Sequence, residues 1–157
     1  MAQYEFLTTW CLDTPIERVF DVLRATRRYP EWWKGVQSVV ALEEGDADGV
    51  GEASRFTWRS ALPYELSFDS RITRVERPYA IGGTAAGELE GVGTWRLFEG
   101  KEGTAAVYEW RVRTTRRWMN LIGPLARPAF VWNHDLVMRQ GAHGIARELG
   151  ARLVAHD

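Results

Sequence analysis

Phe130-Val131-Trp132-Asn133-His134-Asp135-Leu136-Val137-Met138-Arg139-Gln140-Gly141-Ala142-His143-Gly144-Ile145 is the stretch on which the fold turns. Phe130, His134, Val137, Met138, Gly141 and Ile145 recur at intervals of three and four, so they share one stripe of a helix and leave Asp135, Arg139 and Arg147 outside it. The pattern predicts a helix from about Pro128 to about Val154. At 1.5 Å per residue, a helix of roughly 25 residues is about 38 Å long. A stripe of that length needs a broad cover, and the segments upstream that offer one are β-strands. His134 is the one ionisable side chain in the middle of the stripe, with Phe130 and Met138 a turn to either side. If the covering sheet leaves a cavity, His134 faces it. Trp132 and Leu136 form an i,i+4 pair on another side, beside Arg139 and His143. Trp118, Leu121, Ile122 and Leu125 are expected to fold back over that pair; a self-associating patch, and with it a homodimer, is the alternative.

Upstream, Tyr4, Phe6, Thr8, Trp10 and Leu12 alternate with their neighbours, the period of a strand with one strongly aromatic face. At Asp13-Thr14-Pro15-Ile16-Glu17 the period changes to helical: Thr14 reads as a cap, Pro15 as the first helical position and Glu17 as the end of a capping box. Ile16, Val19, Phe20 and Leu23 make the buried stripe of this short helix. A second short piece, Arg27 to Trp33, follows. Adjacent helical side chains point about 100° apart, so Trp32 and Trp33 are not expected to share one helical face. From Val36 to Thr115 the chain reads as six strands: Val36–Glu44, Glu52–Arg59, Tyr64–Glu76, Tyr79–Leu89, Thr94–Phe98 and Ala105–Thr115. The clearest alternation is Tyr64, Leu66, Phe68, Ser70 and Ile72 against charged and polar neighbours. The result is an α+β order of one strand, two short helices, six strands and one long helix. It predicts a curved seven-stranded antiparallel sheet with the long helix across its concave face, in a single domain spanning 1–157.

Composition narrows the function. With 20 basic and 21 acidic residues and a net charge of -1, the chain has no field that attracts nucleic acid or an anionic membrane. The single cysteine, Cys11, excludes an internal disulfide and a cysteine-based zinc cluster. MAQYEFLTTW is not a signal peptide and no run approaches a membrane span, so a cytoplasmic protein without integral membrane association is expected. His134, His143 and His156 are expected to lie far apart, and no metal or cofactor is assigned. Gly82-Gly83 and the Gly87, Gly91, Gly93 run lack the strand-to-helix transition of a phosphate loop. Glu109, Arg111, Arg113, Arg116 and Arg117 read as a solvated strand face with cross-strand ion pairs. No Gly-x-Ser-x-Gly elbow supports a hydrolase. What stands out is eight tryptophans, five tyrosines and six phenylalanines, enough flat apolar surface to pack a core and line a cavity as well.

The element order resembles the helix-grip fold of the START, SRPBCC and birch-pollen-allergen-like superfamily. Leu12-Asp13-Thr14-Pro15-Ile16-Glu17-Arg18-Val19-Phe20, Trp32-Trp33, Gly49-Val50-Gly51, Gly87-Glu88-Leu89-Glu90-Gly91 and Trp132-Asn133-His134-Asp135 are similar to the polyketide cyclase/dehydrase-type branch. The resemblance implies a deep apolar cavity between sheet and helix that takes a lipid, steroid, polyketide or aromatic compound. The candidate lining residues are Trp10, Phe56, Trp58, Tyr64, Phe68, Tyr108 and Trp110 on strands, Trp33 after the short helices, and Phe130, His134 and Met138 on the long helix. A module that binds a hydrophobic small molecule is the first reading. The alternative is a cyclase/dehydrase-like enzyme in which His134 moves a proton. In either case desolvation is expected to lower the pKa of His134 below about 6.5 unless a carboxylate lies beside it.

Overall fold

The computed structural model describes residues 3–115, 117 and 123–157. In chain order the elements are β1 Gln3–Leu12, α1 Ile16–Arg24, a 3-10 helix Thr26–Glu31, β2 Val36–Glu43, β3 Ala53–Arg59, β4 Glu65–Glu76, β5 Ala80–Gly87, β6 Leu89–Gly100, β7 Gly103–Thr114, α2 Gly123–Leu149 and β8 Leu153–His156. The strands form one antiparallel sheet in the order β2-β3-β4-β5-β6-β7-β1-β8. This is the helix-grip architecture, with the long helix over one face of the sheet. The ladder carries register breaks at Ile72/Arg74 on β4 and at two places on β2, the irregularities that bend a strand. Among the described residues no helix is long and apolar enough to cross a membrane.

The seven expected strands are present and β8 is added to them. The spacing pattern carried the helix to about Val154, but α2 stops at Leu149. Gly150 takes φ 61, and the bonds Gly150 N–H to Arg147 O (3.1 Å) and Ala151 N–H to Ala146 O (2.9 Å) close a Schellman cap. The freed tail then pairs with β1, placing His156 opposite Trp10 and Leu153 opposite Leu12. Toward its other end α2 is described from Gly123 onward, so Pro128 sits inside the helix instead of opening it. The capping box does not form either. Pro15 is the N-cap of α1 and no side chain caps it, while Thr14 gives its carbonyl to the Thr104 hydroxyl at 2.8 Å and Glu17 pairs with Arg77 at 3.5 Å.

Trp32 and Trp33 lie past the 3-10 helix, not on it, and both are buried, their rings 5.3 Å apart and nearly parallel. Trp33 donates its indole N–H to the Val137 carbonyl at 2.8 Å, tying this segment to α2. The helix comes unusually close at this point. A Cβ on Gly144 would collide with the Trp32 carbonyl oxygen, and one on Gly141 would stand 2.6 Å from the Trp33 ring. Only glycine permits that approach. The interior splits into a large cluster around Trp10, Phe20, Leu23, Tyr29, Trp33 and Ile145, and a smaller one of Tyr4, Leu66, Leu89, Val112 and Phe130 under the first turns of α2. Of the residues expected to cover those turns, Trp118, Leu121 and Ile122 lie outside the described residues. Leu125 is 83% exposed and Trp132 54% exposed.

Candidate ligand cavity

Between the two clusters, sheet and helix enclose a cavity of about 160 Å³ whose wall draws on both. Strand alternation builds that wall. Phe56 and Trp58 on β3, Phe68 on β4, and Tyr108 and Trp110 on β7 point to the helix face, while their chain neighbours Arg55, Asp69 and Arg111 point out to solvent. Trp33 closes one end, and α2 contributes Phe130, Asn133, His134, Val137 and Met138.

The structure therefore brings Trp33, Phe56, Trp58, Phe68, Tyr108, Trp110, Phe130, His134 and Met138 together around one space. Two candidates lie off it. Trp10 is fully buried behind the wall, against Trp33 (5.3 Å between ring centroids) and Trp95 (4.9 Å), because the close approach of α2 at Gly141 leaves only packing space there. Tyr64 precedes β4 and packs on the rim of the smaller cluster, outside the regular alternation that turns Leu66 and Phe68 inward. Sequence reasoning missed Tyr29, Ser70, Thr84, Trp95 and Asn133. Ser70 and Trp95 were legible as inward positions of β4 and β6. Tyr29 was not, since only the 3-10 helix turns it inward, where its hydroxyl donates to the Leu23 carbonyl at 2.6 Å.

His134 has the most unusual surroundings in the wall. It is 8% exposed, its ring stacked 3.6 Å from Phe6 and 5.6 Å from Trp110, centroid to centroid. Neither ring nitrogen has a hydrogen-bond partner. Asp135 Oδ1 lies 3.5 Å from Nδ1, too long for a good hydrogen bond, and that carboxylate is largely in water. Burial between aromatic faces lowers the pKa of His134 to about 4, with Asp135 only partly opposing it. The ring is neutral at pH 7. The Trp58 indole N–H and Asn133 Oδ1 are likewise buried without partners. Burial also pushes the Tyr108 phenol up, so it stays protonated, and its hydroxyl lies directly over Gly93, in the place a Cβ there would take.

The basic stripe on β7 is a set of ion pairs. Arg96 and Arg111 meet Glu109 at 3.4 and 2.8 Å, and Arg113 meets Glu90 at 2.6 Å. Arg116 lies outside the described residues. His143 and His156, expected far apart, are neighbours with ring centroids 5.4 Å apart, because β8 returns the tail beside α2. Among the described residues no three His, Cys, Asp or Glu side chains converge on a metal position.

The fold is shared with solved structures of low sequence identity. The ZhuI aromatase/cyclase from Streptomyces sp. R1128 superposes with a TM-score of 0.74 at 16% identity, over 95% of this chain and 94% of that one. A protein of Thermus thermophilus gives 0.69 at 15% identity, over 94% and 97%. The major latex-like protein 151 of Panax ginseng gives 0.64 at 10% identity, over 92% and 99%. No curated protein matches the chain in sequence. A family profile, described as polyketide cyclase / dehydrase and lipid transport, matches residues 12–136, which hold the cavity wall except Val137 and Met138. By that match over most of its length, the chain belongs to the polyketide cyclase/dehydrase and lipid transport family.

Proposed function

We propose that this protein binds a hydrophobic small molecule, of the lipid, polyketide, steroid or aromatic class, in the cavity between sheet and α2. The observation that carries the reading is an aromatic-walled space in which a nine-tenths-buried histidine keeps both ring nitrogens unpartnered. A buried polar group without a partner costs roughly 1–3 kcal/mol, a penalty that a ligand's hydrogen bond removes. The apolar wall supplies affinity: at about 25 cal/mol per Å², burying about 200 Å² of ligand contributes about 5 kcal/mol before association costs. An environment-sensitive apolar dye is expected to bind the folded protein with micromolar affinity or better, and Trp58→Ala or Tyr108→Ala to weaken it. No binding across a broad panel of dyes and candidate ligands overturns the reading.

The second reading is a cyclase/dehydrase-like enzyme, favoured by one fact: His134 is neutral at pH 7, with a ring nitrogen free to take a proton. His134→Gln separates the two. In a binder it changes affinity by no more than about 1.5 kcal/mol, the scale of one hydrogen bond. A loss of turnover of about 100-fold or more with affinity intact makes His134 the proton carrier. Exposed Leu125 and Trp132 support self-association through the first turns of α2, which a concentration series in sedimentation velocity tests.

A further inference from the structure

Resting on the binding reading above, we infer that the cavity selects an uncharged ring compound that both donates and accepts a hydrogen bond, such as a phenol or hydroxy-ketone, and rejects free carboxylates. Three observations carry this. First, no Lys, Arg, Asp or Glu is found in the wall among the described residues; its polar groups are hydroxyls, indoles, one amide and one imidazole. An ionised carboxylate entering it finds no counter-charge to replace its water. Arg127, on the same helix as His134, is held elsewhere, over the Tyr4 ring at 4.5 Å and donating to the Gln3 carbonyl at 2.9 Å. The charge that stands beside His134 is negative, the Asp135 carboxylate 3.5 Å from Nδ1, and it offers an anion no counter-charge.

Second, the unpartnered groups are of mixed kind. Trp58 Nε1 can only donate, Asn133 Oδ1 can only accept, and neutral His134 does one of each. A hydroxyl answers both kinds at once, whereas a carboxylate can only accept and a hydrocarbon answers neither. Third, about 160 Å³ is close to the roughly 150 Å³ of an apolar cavity known to hold benzene. The core of the ligand is therefore one or two rings.

The experiment uses three probes of one shape on the unaltered protein at pH 7.5: a naphthol, the corresponding naphthoate and naphthalene, titrated by calorimetry. The naphthol is expected to bind tightest, naphthalene about 10-fold weaker for want of a hydrogen bond, and the naphthoate about 100-fold weaker or more. Naphthoate binding as tight as naphthol overturns the charge selection and leaves the binding reading standing. If none of the three binds, the ring selection falls, and the dye panel alone decides the binding reading.

Discussion

His134 carries its own acid sensitivity. Its pKa falls from the ordinary 6.5 to about 4 on folding, because burial disfavours the imidazolium. Between those values the unfolded chain binds a proton that the folded chain does not. Stability is thus full above pH 6.5 and declines as the pH falls toward 4, by about 3 kcal/mol at most at about 1.4 kcal/mol per unit. Urea unfolding of the parent chain and of His134→Phe at pH 7 and pH 4.5 should show the parent losing more; equal losses would mean that the ring is already charged or hydrated in the folded state. The exposed carboxylates paired with arginine, such as Glu31 and Glu43, titrate alike in both proteins and cancel in the comparison. His134 was legible in sequence as an ionisable residue on an apolar stripe. That it stacks on Phe6 was not, since this requires the register of β1 beneath α2.

At the scale of the element, α2 is fixed by two glycines that serve opposite purposes. Gly144 lets the helix touch the Trp32 carbonyl, so Gly144→Ala forces a Cβ against backbone that has no rotamer to yield. Overpacking of this kind typically costs 1–3 kcal/mol, and chemical denaturation is expected to show a loss of at least about 2 kcal/mol. Gly150 instead supplies a left-handed residue with open space around it. Gly150→Ala is expected to cost about 1 kcal/mol from backbone strain alone. Reversal of that order in denaturant midpoints would show that the helix shifts away from Trp32 at little cost. The Trp33 indole bond to the Val137 carbonyl holds the same contact from the other side. Trp33→Phe is expected to destabilise the protein by more than about 1 kcal/mol, since the space left by the smaller ring adds to the net worth of one hydrogen bond.

Across the whole molecule, the cavity exists because two clusters meet without merging. The smaller one, built on Tyr4, Leu66, Leu89, Val112 and Phe130, packs under the first half of α2, while the tryptophan cluster packs under the second half, where Gly141 and Gly144 bring the helix close. The space left between them is where a ligand gains most, as it fills volume that the side chains leave open. A bound molecule then stabilises the entire fold by mass action: at a hundred times its dissociation constant, by about 2.7 kcal/mol. Thermal unfolding with saturating dye is expected to rise by several degrees in the parent and by clearly less in Trp58→Ala at the same dye concentration. An equal rise in both would place the dye outside the cavity.

Sequence alone determined the element order as far as α2, the inward strand faces and the stripe of α2, because all three follow from periodicity, and periodicity is local. Phe56, Phe68, Trp110 and Met138 could be read as inward for that reason. Tertiary structure decided which inward residues face space and which face neighbours. Trp10 and Trp58 look alike in sequence, yet α2 is pressed close at Gly141 and seals Trp10 in, whereas Trp58 opens on the cavity. The end of α2 was hidden in the same way. Gly150 marks it only once the tail is seen to pair with β1, a contact between residues more than a hundred positions apart that no local pattern encodes.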